Sequence, residues 1–305
     1  MTRWLVGMDL RATSAGALRY SAWLHAHGGE GVQLQALHVI EQLDQHYAIR
    51  LGLHPRGRLL ALTREATRDV LRQAGVERCF EEVDVLPGGN ADDVLDEQLL
   101  DRGASGLVVG RQGPLREGFP PRLGRVARHL LRHASGPVIV VPPDLDETKL
   151  EGPIVLATDA GPSSVAAGLF AAARAREWGR PLRLVHVVSA SDTGGLSFLP
   201  RPAEDGARQA RFKAQRAAVE RWADELSLSD LDVEIDVRVG TAIDELLAIA
   251  RLGSPLVVCG ARRLSWVKRH LKASHATTLS SHAPVPVAVV PPETEANESP
   301  PSSRE

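Results

Sequence analysis

Cysteine occurs only twice in the chain, as Cys79 and Cys259. Two thiols build neither a disulfide framework nor a four-cysteine zinc site. Aromatic residues make up 4% of the sequence, too few for the stacking platforms that hold single-stranded nucleic acid. Neither sign of charge dominates. The 36 basic and 38 acidic side chains leave a net charge of −2, which gives no bulk attraction to nucleic acid or an anionic membrane. Lysine is scarce, with four residues against 32 arginines, so the basic side is almost all guanidinium. The longest apolar runs are strand-sized, or small-residue stretches such as 165–173, well short of a membrane span. The opening MTRWLVGMDLRATS lacks the apolar core of a signal peptide. The expectation is a cytoplasmic protein with no membrane or nucleic-acid partner. Missing too are Gly-x4-Gly-Lys-Ser/Thr, Gly-x-Ser-x-Gly, His-Glu-x2-His and any Cys-x2-Cys pair, so no enzyme motif and no metal site is expected.

What the sequence does contain is a repeat. WLVGMDLRATSAGALRYSAW (4–23) lines up with PIVLATDAGPSSVAAGLFAA (153–172), with Asp9 and Asp159 150 residues apart. LQALHVI (34–40) matches LRLVHVV (182–188), SGLVVG (105–110) matches PLVVCG (255–260), and HASGPVIVVPP (133–143) matches HAPVPVAVVPP (282–292). Four segments in one order at a nearly constant offset indicate two copies of one domain, and 305 residues suffice for two cores. In the first copy apolar runs of strand length fall near 3–8, 32–40, 80–86, 105–110 and 137–141, and in the second near 153–158, 182–188, 231–239, 255–259 and 286–290. Runs apolar on both faces suit strands covered on both sides. Helical stretches lie between them, near 13–28, 57–74, 90–102, 123–134, 162–178, 203–226, 241–252 and 273–282. The predicted fold is α/β: two tandem open parallel five-stranded sheets with helices on both faces. The domains are read as 1–143 and 153–292, with a charged linker at 144–152. A Pro-, Glu- and Ser-rich tail at 293–305 is expected to be disordered.

In an open α/β sheet, ligands bind beyond the carboxyl ends of the strands. The Asp after strand 1, the His-Val of strand 2, the Gly ending strand 4 and the start of the fourth helix should meet there. The first copy reads Gly110-Arg-Gln-Gly113, ten residues, then Gly124-Arg125; the second reads Gly260-Ala-Arg-Arg263, nine residues, then Ala273-Ser274. With these residues and the ending LRHASGPVIVVP, nearly the whole chain resembles the universal stress protein family in its tandem form. That resemblance implies strand order 3-2-1-4-5, last strands meeting between the halves as an intrachain pseudo-dimer, and a nucleotide motif Gly-x2-Gly-x9-Gly followed by Ser or Thr. It implies ATP as a candidate ligand, with adenosine contacts at Asp9, Val39, Gly110, Gly113, Gly124 and Arg125, and at Asp159, Val187, Gly260 and Ser274. Neither copy has the motif complete. The first inserts a residue and has Arg125 for the hydroxyl residue; the second loses two glycines to Arg263 and Ala273. If ATP binds, the first copy is expected to hold it better. Arg125 would then be either a phosphate ligand or a plug paired with a carboxylate.

Plainer readings stand beside these. Asp9 and Asp159 suit an Asx turn after strand 1, His38 and His186 suit hydrogen-bonded packing, and Cys259 suits inert core. The arginines around both loops, Arg111 among them, read first as a solvated face. The resemblance implies an ATP-responsive binding protein of the stress response, not an enzyme. A scaffold that acts through unidentified protein partners is the alternative, and a weak ATP hydrolase the third reading. Further pairing into a homodimer stays open.

Overall fold

The structure, a computed structural model, describes residues 2–29, 31–50, 56–113, 121–189, 201–261 and 275–292. The tail read as disordered lies outside them. The first half runs β1 (Thr2–Gly7), α1 (Ala15–His27), β2 (Val32–Ile40), α2 (Gln42–Arg50), α3 (Arg56–Gln73), β3 (Glu82–Pro87), α4 (Ala91–Asp101), β4 (Gly106–Gly110), α5 (Arg125–His133) and β5 (Val138–Val141). The second runs β6 (Ile154–Ala157), α6 (Val165–Trp178), β7 (Leu182–Ser189), α7 (Arg201–Glu225), β8 (Val233–Gly240), α8 (Ala242–Leu252), β9 (Val257–Gly260), α9 (His275–His282) and β10 (Val287–Val290). Every predicted strand and helix is present. Helix α2 was not foreseen: its segment is polar, with Leu43 and Tyr47 exposed, so it carries no apolar period to announce it.

Within each half the strands are parallel, but the two sheets are not separate. The order is β3-β2-β1-β4-β5-β10-β9-β6-β7-β8, one ten-stranded sheet. Its seam is antiparallel, pairing Val287 with Val140, Ala288 with Ile139 and Val289 with Val138. VIVV and VAVV are wholly buried; β-branched residues with no polar face require cover on both sides. Side chains alternate across the sheet. Trp4 and Val6 join a core with α1, α3, α6 and α7, while Leu5 joins one with α4, α5, α8 and α9. Each core runs through both halves. Among the described residues no helix is long and apolar enough to cross a membrane.

Four of the scarce aromatics pair between the two halves. Trp23 of α1 meets Trp178 of α6 edge to face, with centroids 5.1 Å apart, and Trp4 meets Phe170 at 6.3 Å. Such pairs contribute about 0.5–1.5 kcal/mol beyond their buried area. The Arg174 guanidinium lies over the Trp4 and Phe170 rings at 5.2 and 5.5 Å and pairs with Glu177 at 2.8 Å. The charged linker is docked on the domains: Leu145 and Leu150 are buried, and the Ser254 amide donates to the Lys149 carbonyl.

Candidate functional site

The turns after β1 and β6 are built alike. The Asp9 carboxylate accepts from the Arg11 amide (3.1 Å), the Ser14 hydroxyl (2.7 Å) and the Thr13 hydroxyl (2.9 Å). Asp159 accepts from the Gly161 amide (3.1 Å) and the Ser164 hydroxyl (2.7 Å). Each carboxylate thus shapes an Asx turn that starts the following helix. One strand over, His38 and His186 bond through Nδ1 to the carbonyls of Met8 and Thr158, both at 3.0 Å. The two histidines tie the end of strand 2 to that of strand 1 in each half, which is the packing role read from the repeat.

Gly110 and Gly260 end β4 and β9 against these turns. A Cβ on Gly110 would lie 2.5 Å from the Thr13 carbonyl oxygen, and on Gly260 3.0 Å from that of Ser163. Close backbone approach therefore requires glycine at 110 and leaves a side chain at 260 only tight room, ligand or none. Gly113 is different. Its φ is not positive, and an added Cβ would meet only Pro143 at 3.3 Å. Gly124 caps α5 in extended conformation, and a bridge between Gln112 and Arg122 draws the ends of the β4–α5 connection together.

At the first helical residue of α5, Arg125 is committed to carboxylates. Nη1 lies 2.5 Å from Asp92 Oδ1, and Nη2 pairs with Glu41. Glu41 follows β2 and also accepts the Ala91 amide at 2.8 Å, starting α4. Asp92 is 3% exposed and is held on its other side by His129 at 3.2 Å. Burial opposes the charge on Arg125, but Asp92 and Glu41 outweigh it and raise its pKa. The guanidinium is a strut between the end of β2 and α4. Asp92, Asp93 and His129 also bring ligand atoms within 4.8 Å of one another, a grouping the sequence did not suggest; Arg125 already occupies one Asp92 oxygen.

The second half differs at each of these places. By the repeat, Ser189 stands for Glu41, Ile243 for Asp92 and Ser274 for Arg125. Ser274, Arg263 and Ala273 lie outside the described residues. Beyond the carboxyl ends of β6, β7 and β9 a cavity of about 660 Å³ opens. It is lined by Asp159, His186, Val187 and Gly260, by Arg211 of α7 and by His275 of α9. Asp159, Val187 and Gly260 are thus brought together on one cavity wall. Asp9, Val39 and Gly110 sit at the matching ends of β1, β2 and β4. Arg211 was missed, since it falls mid-helix in no motif. The Cys259 thiol borders the cavity, and burial pushes its pKa up to about 12.

Arg111 was read with the solvated arginines and is instead 5% exposed. It follows β4, crosses the seam, and donates through Nη1 to the carbonyls of Ser281 (2.6 Å), Ala283 (3.0 Å) and Ser280 (3.4 Å) at the C-terminus of α9. Proximity in space across 170 residues of sequence left no local sign of this.

A sequence profile described as "Universal stress protein family" matches the chain twice, over residues 1–142 and 152–291. Among solved structures, a universal stress protein from Archaeoglobus fulgidus DSM 4304 superimposes with a TM-score of 0.67 at 18% identity, over 95% of this chain and 98% of that one. A functionally unknown protein from Pseudomonas aeruginosa PAO1 does so with a TM-score of 0.59 at 19% identity, over 96% and 93%. At these identities the likeness shows the fold. No curated protein matches.

Proposed function

Since the chain belongs to the universal stress protein family, we propose that it is a cytoplasmic, adenine-nucleotide-responsive binding protein of the stress response whose second half takes the ligand. The observation that carries the reading is the cavity beside Asp159, Val187 and Gly260, the positions at which the family resemblance puts adenosine contacts. Its size suits a small ligand, since such pockets run from about 300 to 1,000 Å³. Arg211, His275 and the first turn of α9 offer donors to an anion there. In the first half the corresponding mouth is held by the strut of Arg125, Glu41 and Asp92, which supports the plug role for Arg125. The geometry therefore favours the second half over the first, against the glycine count. Binding without catalysis is the form of the proposal: the Asp159 carboxylate is spent on its own turn, and hydrolysis would call for a base beside the phosphates.

Mass spectrometry of small molecules retained through purification, followed by calorimetric titration with ATP, tests this. One site per chain is expected. Val187→Trp should weaken binding at least tenfold while the chain melts at the parent's temperature. Two equal sites would sink the assignment to the second half. No binding at millimolar ATP would sink the nucleotide reading and favour the scaffold acting through protein contacts.

A further inference from the structure

Arg111 is a buried cation placed by one half onto a helix of the other. It leaves the first half directly after β4, with its amide bonded to the Val141 carbonyl at 2.7 Å. Its Nη1 serves three carbonyls at the end of α9, and its Nη2 stands 4.0 Å from Asp144. The first residues of the same helix, His275 and Ala276, line the second-half cavity. The helix is eight residues long, about 12 Å. The arrangement has no mirror image, because Ala261 stands where the repeat would put a second such arginine.

A cation at a helix C-terminus and an anion at its N-terminus are both favoured by the same aligned peptide dipoles. A charge at one end, buried and poorly screened, also acts on a charge at the other. It fixes the helix as well, since the carbonyls of Ser280 and Ser281 in its last turn and of Ala283 just beyond it gather on one guanidinium nitrogen. We propose that Arg111 is a positioning residue through which the first half sets the anion affinity of the cavity in the second. The inference rests on the reading of that cavity as a nucleotide site. It adds that the helix presenting His275 and Ala276 to the cavity is anchored from across the seam.

The test is calorimetric titration of ATP, ADP and adenosine into the full chain and into Arg111→Met and Arg111→Lys. Arg111→Met should weaken ATP and ADP roughly 5- to 10-fold and leave adenosine within about twofold, because only the anions sense the lost charge. Arg111→Lys, which restores a point charge, should recover a large part of the loss. Equal weakening of ATP and adenosine would mean general loosening and would overturn the proposal. So would an unchanged ATP affinity in a folded Arg111→Met chain beside a parent that binds. A parent that binds none of the three ligands would overturn the nucleotide reading, and this inference with it. If Arg111→Met does not fold, Arg111→Gln, which keeps donors without the charge, takes its place in the same comparison.

Discussion

Arg125→Ser gives the first half the hydroxyl residue that the second half carries at Ser274, and the consequence can be worked out from its partners. Removing one member of a fully buried ion pair costs about 3–5 kcal/mol. An exposed pair contributes about 0.2–1 kcal/mol. Arg125 falls between the two: its side chain is 54% exposed, yet it faces an Asp92 side chain that is only 3% exposed. His129 remains to hold Asp92 at 3.2 Å. A loss of about 1–2 kcal/mol is expected, with the solvent-facing Glu41 arm contributing little of it. Asp92→Ile added to Arg125→Ser removes the abandoned carboxylate and supplies the residue found at Ile243, so part of the loss should return. Urea unfolding followed by tryptophan fluorescence reads both steps, and the double-mutant cycle gives the coupling. The single variant should gain no nucleotide, because two carboxylates still face the site. Glu41→Gln, which keeps an oxygen for the Ala91 amide, completes the set. The triple variant should bind a second ATP per chain by calorimetry. If Arg125→Ser changes stability by less than about 0.3 kcal/mol, the strut holds nothing. If the triple variant still binds one nucleotide, the first half is closed by something other than these charges.

Three further outcomes follow from the packing. Gly110→Ala should destabilise the chain by about 2 kcal/mol or more through its clash with the Thr13 carbonyl, whereas Gly113→Ala should cost under about 0.5 kcal/mol; similar melting temperatures for the two would contradict the backbone role given to Gly110. Trp178→Ala should cost about 3–5 kcal/mol and, because one sheet joins the halves, should lower a single unfolding transition; two separated transitions by calorimetry would show that the seam does not couple them. Iodoacetamide at pH 8 should leave Cys259 unmodified in the folded chain, since burial pushes its thiol up to about 12, and should label it in urea; labelling without denaturant would refute its burial.

The sequence revealed what is local or repeated. Strands such as VIVV and VAVV announce themselves by composition, and the second copy confirms every weak period in the first. The turn carboxylates Asp9 and Asp159 and the paired His38 and His186 were legible because their partners lie within the same two strand ends, one repeat apart. The strut was half legible. A cation at a helix start should seek an anion, but Glu41 and Asp92 stand 84 and 33 residues from Arg125, and only the parallel sheet brings them to it. Arg111 was not legible at all. Its partners are carbonyl groups, which every residue possesses, so no side-chain pattern marks them. Glycine count favours the first half because it speaks for backbone clearance; Arg125, Glu41 and Asp92 act there through charge, which a glycine motif does not register.

The antiparallel seam has a consequence for how the chain can vary. In an assembly of two identical subunits every substitution is made twice, at places related by the two-fold axis. An arginine reaching across such an axis would be met by its own copy coming the other way. Covalent fusion keeps the partner at a fixed high local concentration and removes that duplication. A change on one side then has to be tolerated only once. This chain has used that freedom at least twice: Arg111 faces no counterpart where Ala261 stands, and the charged triplet of one half is Ser, Ile and Ser in the other. Joined into one sheet, each half supplies its last strand and its aromatic face to the other whatever residues stand at the ends of its strands, so such one-sided changes leave the seam intact.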